Sequence, residues 1–352
     1  MRNVRTALMA LFWILASGIR AQAAWSPVDM GTHDSFFGVT FVDANTGWAV
    51  GADGPVWKTA DGGATWTSQP TGMTWTRLAC FLNRDTGWVT GAYSGQIART
   101  VDGGKTWKTA PANLQNGFTS DVRFIDAKTG WTVGRNGGIS KSTDGGVTWV
   151  SQGRIDSRFL WTARFVNATT GWVGGEDGIL AKTTDGGAHW EMETLSHNPT
   201  VQAMCFLDAN TGWVVGGQGA ILKTTDGGAN WDRQESGTTL TLNGVDFAGP
   251  DTGWAVGNGG VVLATTDGGS HWSLRVEAPN QSLWSVDAVD ARHAWISGWS
   301  GVTLKYHEDP VALAPQPGRS LILRPAAPVV DALGKFLAFP GRYPGQSLST
   351  PR

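Results

Sequence analysis

The stretch TTDGGANW, residues 224–231, sets a carboxylate, two glycines and a tryptophan close together, a composition that an active-site loop and a structural turn share. Its recurrence decides between them. The pattern Ser/Thr-x-Asp-Gly-Gly-x-x-Trp ends at Trp66, Trp107, Trp149, Trp190, Trp231 and Trp272, and six copies cannot line one small catalytic pocket. Asp226 can accept hydrogen bonds from amides of its own turn, and Gly227 and Gly228 permit dihedral angles closed to other residues. Trp231 then re-enters the fold as an apolar plug whose indole N–H needs a partner. The same grammar places structural aspartates at Asp61, Asp102, Asp144, Asp185, Asp226 and Asp267. One carboxylate followed by two glycines offers too few oxygens for calcium, so no metal is assigned.

A second motif, TGW or its equivalent, puts tryptophan at 48, 88, 131, 172, 213, 254 and 295, in steps of 40 to 43 residues. That period fits a propeller blade. Within one unit AMCFLD at 203–208 alternates, GWVVGG at 212–217 is short and valine-rich, AILKTT at 220–225 returns, and a polar segment follows Trp231. Four short strands per unit, with both sheet faces buried by neighbouring units, predict an all-β, seven-bladed β-propeller. The seventh unit lacks the aspartate motif and its outer strand. WSPVDMG at 25–31 aligns with the segment after each motif, Trp25 lying 41 residues before Trp66, so the N-terminal strand is expected to close the last blade.

The ends read differently. Arg2 and Arg5, the apolar run at 7–16 and AQA at 21–23 predict a secretory signal over 1–23, too short to span a membrane, and hence export to the periplasm. The propeller is expected over 24–306. Residues 307–352 hold 8 of the 15 prolines and read as a tail, with a possible short helix at 329–339. Cys80 and Cys205 occupy equivalent places in non-adjacent units and read as two buried thiols.

The aspartate motif is similar to the Asp-box, or bacterial neuraminidase repeat, of sialidases and sortilin-type propellers. Alternating with TGW-x-VG over about residues 25–306, it resembles more specifically the photosystem II stability and assembly factor family. The resemblance implies a seven-bladed, non-catalytic protein that binds membrane-protein assembly intermediates and carries an arginine-rich patch.

Function is sought where the repeat is least regular. The turns after TGW-x-VG and the connections between blades should share the rim opposite the Asp-boxes. There the candidates for partner binding are Trp75, Arg77, Tyr93, Arg135, Arg154, Arg158, Trp161, Arg164, Trp284 and Trp299. Guanidinium groups suit carboxylates and phosphates, and aromatic neighbours supply contact area. Residues 77–164 carry 12 basic and 6 acidic side chains, residues 165–306 carry 6 and 15, so the net charge of −2 conceals a basic sector and an acidic one. Arg123 and Arg164 sit at one innermost-strand position in consecutive units, where Asp246 and Asp287 stand elsewhere, and could pair with them across the channel or remain available at its mouth.

Three other readings are weaker. A sialidase needs an arginine triad and a glutamate-assisted tyrosine, and no motif here assigns them; a glycosidase acting on carbohydrate could recruit Glu176, Asp177, Asp246 or Asp287. The six histidines have no metal-ligand spacing, and no cofactor is implied. Mixed charge and expected export disfavour nucleic acid. The sequence therefore predicts a monomeric, exported, non-catalytic scaffold for an envelope or membrane protein complex.

Overall fold

The computed structural model describes residues 25–114, 117–193, 195, 199–278 and 280–306. The expected signal at 1–23 and the tail at 307–352 lie outside them. Seven antiparallel four-stranded sheets occupy 36–69, 76–111, 119–154, 160–192, 201–234, 242–276 and 283–306, called here blades one to seven. The outer strand of blade seven is Trp25–Pro27, which pairs with Thr303–Tyr306 in the register Trp25↔Tyr306 and so closes the ring. Among the described residues no helix is long and apolar enough to cross a membrane.

The second strand of each of the first six blades is a Gly-Trp-x-x-Gly segment, buried at every residue. Its tryptophan stacks flat on a phenylalanine of the next blade, as in Trp172 on Phe206 at 3.7 Å and Trp48 on Phe81 at 3.6 Å between centroids. That phenylalanine takes the edge of its own blade's Asp-box tryptophan, Trp231 on Phe206 at 6.1 Å. It also covers the glycine of its own TGW, where a Cβ on Gly212 would lie 2.4 Å from the Phe206 ring. The three recurring residue types thus meet at one inter-blade joint. Blade seven departs consistently: Ala288 replaces the phenylalanine, Ala294 replaces the glycine, and Trp254 meets Tyr306 and Trp25 instead.

The Asp-box completes this joint. Asp226 accepts the Asn230 backbone N–H at 2.9 Å and its side-chain amide at 2.7 Å, while Thr224 Oγ1 donates to Asp226 and accepts from Gly228 N–H. Gly227 and Gly228 hold φ of 72° and 100°. The turn presents the Gly227 carbonyl to the preceding blade, where it accepts Trp172 Nε1 at 3.3 Å and Lys182 Nζ at 2.7 Å. The carboxylate of the box and its glycine carbonyl are both spent on architecture. In two of the six boxes the indole N–H reaches a side chain of the preceding blade: Trp231 donates to Glu193 Oε2, and Trp272 to Gln234 Oε1, each at 3.0 Å.

Glu193 occupies a slot that Gln69, Gln152 and Gln234 fill in three other blades, and Ala110 and Arg275 in two more. Burial pushes its carboxyl up to about 7, against the Trp231 hydrogen bond and Lys182, with Asp226 adding to the rise. A carboxyl whose folded value is raised binds extra protons when folded, so its contribution to stability falls as pH rises from the ordinary carboxylate range through 7. Glu193→Gln is therefore expected to stabilise the propeller at pH 8 by about 1–2 kcal/mol, allowing for solvent screening. Denaturant unfolding of both proteins at pH 4 and pH 8 checks this, with no difference expected at pH 4.

Candidate functional site

The two rims separate as the strand alternation requires. Each Asp-box is tied to the first turn of its own blade, as in Gly227 N–H to Asn210 O at 2.8 Å. On the opposite rim the turn after each Gly-Trp-x-x-Gly is tied to the connection entering the blade: Ala92 N–H to Trp75 O, Arg135 N–H to Phe118 O, Trp299 N–H to Ser282 O. Both groups of variable residues are thereby brought to one rim.

A β-bulge near the start of each innermost strand aims the side chains there. The register slips between Phe36 and Gly38, Thr76 and Ala79, Thr119 and Asp121, Leu160 and Thr162, Val201 and Ala203, Leu242 and Gly244, and Leu283 and Ser285. A bulged residue leaves the ladder and its side chain is redirected. The residues released are Phe37, Arg77 with Leu78, Ser120, Trp161, Gln202, Asn243 and Trp284. Ser120 is buried on the Val133 and Leu160 carbonyls, and the other seven residues surround a recess at the channel mouth with about 570 Å³ of empty space, its open mouth included.

Aromatic rings run round half of this rim. Trp284 and Trp299 contact Phe37, Phe37 stacks on Trp75 at 5.7 Å, Trp75 meets Tyr93 at 5.5 Å, and Tyr93 meets Phe118 at 5.4 Å. Phe118 then meets Phe159 at 4.8 Å, and Phe159 stacks on Trp161 at 4.3 Å. Arg77 lies over the Trp161 ring at 4.9 Å and Arg135 over Phe159 at 5.9 Å. In blades five and six the same positions hold Thr200, Gln202, Thr241 and Asn243, so the aromatic surface stops there.

Seven of the ten candidates thus join one surface: Trp75, Arg77, Tyr93, Arg135, Trp161, Trp284 and Trp299. The other three do not. Arg158 is held by Asp156 at 3.0 Å and donates to the Asp177 carbonyl at 3.1 Å. Arg154 ends the outer strand of blade three and lines a separate recess with Leu114 and Asn136. Arg164 lies deeper in the channel mouth. Phe37, Phe118 and Phe159 were missed by the sequence reading, although each stands eleven or thirteen residues before a TGW tryptophan, as Trp161 and Trp75 do.

Below the recess, Thr40, Cys80, Arg123, Arg164, Cys205, Asp246 and Asp287 share one register, each opposite its TGW tryptophan. Among the described residues no ion pair joins the arginines to Asp246 or Asp287 across the channel, contrary to the sequence expectation. Both arginines pair with the fully buried Asp121, at 3.2 Å from Arg123 and 3.5 Å from Arg164. Asp246 and Asp287 instead accept backbone N–H groups of the next blade, from Ala288 at 2.8 Å and Phe41 at 2.9 Å. Burial and then the neighbouring Asp246 push Asp287 up to about 8, and burial raises Asp246 as well. Both thiols are free and buried, and burial raises both above the ordinary thiol value. Glu176 accepts the Phe159 N–H at 3.0 Å.

The family model for photosynthesis system II assembly factor YCF48 matches residues 18–115, 112–199 and 188–282. No curated protein matches the chain. Among solved structures, YCF48 bound to a D1 peptide superposes with a TM-score of 0.69 at 20% identity, over 81% of this chain and 97% of that one. YCF48 from Cyanidioschyzon merolae gives 0.69 at 22% identity, over 81% and 99%. A streptogramin B lyase gives 0.71 at 11% identity, over 81% and 97%, so the same fold also serves an enzyme.

Proposed function

Because the chain belongs to the photosynthesis system II assembly factor YCF48 family, we propose that it is an exported, non-catalytic scaffold that binds an envelope or membrane protein complex through the aromatic and arginine half of its variable rim. One observation carries this reading. Bulges, rim turns and blade connections together place seven aromatic and basic candidates on one continuous surface, while the opposite rim spends its polar groups on the repeat itself. Tyr93 is exposed and Trp75, Trp161, Trp284 and Trp299 are half-buried; such aromatic area with planar cations suits a protein partner, and a YCF48 has been solved with a D1 peptide bound. Export is supported by the position of the closing strand, which starts at Trp25, just behind the expected cleavage before Ala24.

Replacing Arg77 and Arg135, the two arginines of this surface, by alanine is expected to cut specific capture of the partner from solubilised envelope at least about tenfold, the scale of removing interface arginines. Quantitative mass spectrometry of the captured proteins measures this. Equal capture by wild type and variant would reject the basic rim. Arg158 is left in place because Asp156 already holds it.

A further inference from the structure

The recess at the channel mouth has more donors than acceptors. Arg77, Arg123 and Arg164 all line it. Asp121 is engaged by the last two and by the Ala163 N–H at 3.0 Å. Arg77 makes no ion pair among the described residues, and its Nε is buried without a hydrogen-bond partner. The indole N–H of Trp161, over which the guanidinium lies, is buried and unpartnered too. Three guanidinium groups set against one carboxylate leave the recess short of an anion, and that shortage calls for an acceptor that arrives from outside. The apolar walls, Phe37, Trp161 and Trp284, define what must surround that acceptor. Burial draws Arg77 down to about 10, so it remains a cation at neutral pH.

We propose that this recess receives a single carboxylate, the side chain of an aspartate or glutamate flanked by aromatic or apolar residues in an exposed segment of the partner protein. The inference rests on the reading of the rim as a partner-binding surface and names the group that the partner inserts. A carboxylate accepts from both donors at once and matches the planar guanidinium. Its neighbours in the partner then lie on Phe37, Trp75 and Trp284, which lead away from the recess along the rim.

The test uses the full chain and a blocked tyrosyl-glutamyl-tyrosine peptide, with its glutamine counterpart and sodium acetate as the comparisons. Calorimetric titration at pH 7 is expected to give at least about tenfold tighter binding of the glutamyl peptide than of the glutaminyl one, the value of a charged partner to a buried donor. Arg77→Met should erase that preference. Trp161→Phe, which keeps the apolar wall and removes the N–H, should reduce it, and Lys105→Ala on the opposite rim should leave it intact. A titration from pH 7 to pH 4 needs no variant and should lose the preference as the peptide carboxyl protonates. Equal affinity for the two peptides, an undiminished preference in Arg77→Met, or displacement of the peptide by equimolar acetate would each overturn the assignment. Absence of the preference alongside intact capture of the membrane partner would sink the recess and leave the rim standing. Lost capture with an intact preference would do the opposite.

Discussion

Gly212→Ala is expected to destabilise the propeller by about 3 kcal/mol, at the upper end for overpacking a core. The added methyl would lie 2.4 Å from the Phe206 ring. That ring cannot retreat, because Trp172 stacks on it at 3.7 Å and Trp231 meets it at 6.1 Å. Phe206→Ala alone should cost about 3–5 kcal/mol through the cavity it leaves. The pair together should cost clearly less than the sum, with a favourable coupling of about 2 kcal/mol. Blade seven supports this expectation, since Ala288 and Ala294 stand there in place of the phenylalanine and the glycine, and Ala294 is fully buried. A double-mutant cycle by denaturant unfolding measures the coupling. Strict additivity would mean that the glycine answers to something other than the ring.

This joint explains why the architecture was legible. TGW, the phenylalanine and the Asp-box tryptophan recur because three contacts at each blade boundary fix them, and their spacing therefore carries the blade count. The missing seventh box likewise pointed to Trp25, because a strand without a partner must be paired from elsewhere in the ring. The rim was legible in part. Trp75, Tyr93, Trp161, Trp284 and Trp299 stood out as departures from the repeat. Phe37 did not, because a bulge changes strand register without changing residue spacing, so no insertion marks it. Phe118 and Phe159 did not, because they stand in the connections just before their innermost strands, in a repeat that already uses phenylalanine in its core. Ion pairing was the least legible level. Asp121 lies two residues before Arg123 on the same strand and outcompetes the carboxylates across the channel. Arg158 is neutralised by Asp156, two residues away. Both outcomes depend on side-chain reach, which repeat alignment does not encode.

Trp25→Ala is expected to cost about 3–5 kcal/mol, the range for deleting a large buried aromatic, and to make the protein prone to association. The closing strand has three residue pairs with Thr303–Tyr306 and one further bond, Val28 N–H to the Thr303 carbonyl at 2.8 Å. So short a ladder depends on its side chains. Trp25 packs on Tyr306 at 5.3 Å and edge-on to Trp254 at 6.4 Å, in the joint where Ala288 leaves no phenylalanine for Trp254 to stack on. Removing it takes away a ring that no neighbour can replace. The loosened strand would then expose the Thr303–Tyr306 edge, an open template for pairing with another chain. Denaturant unfolding and light scattering at rising concentration test both parts. A loss below about 1 kcal/mol without association would show that the N-terminal strand does not seal the ring. The same geometry sets a limit on the proposed export: a processed chain that keeps the seal must begin no later than Trp25, so intact-mass measurement of the protein recovered from cells should place its first residue at or before that position.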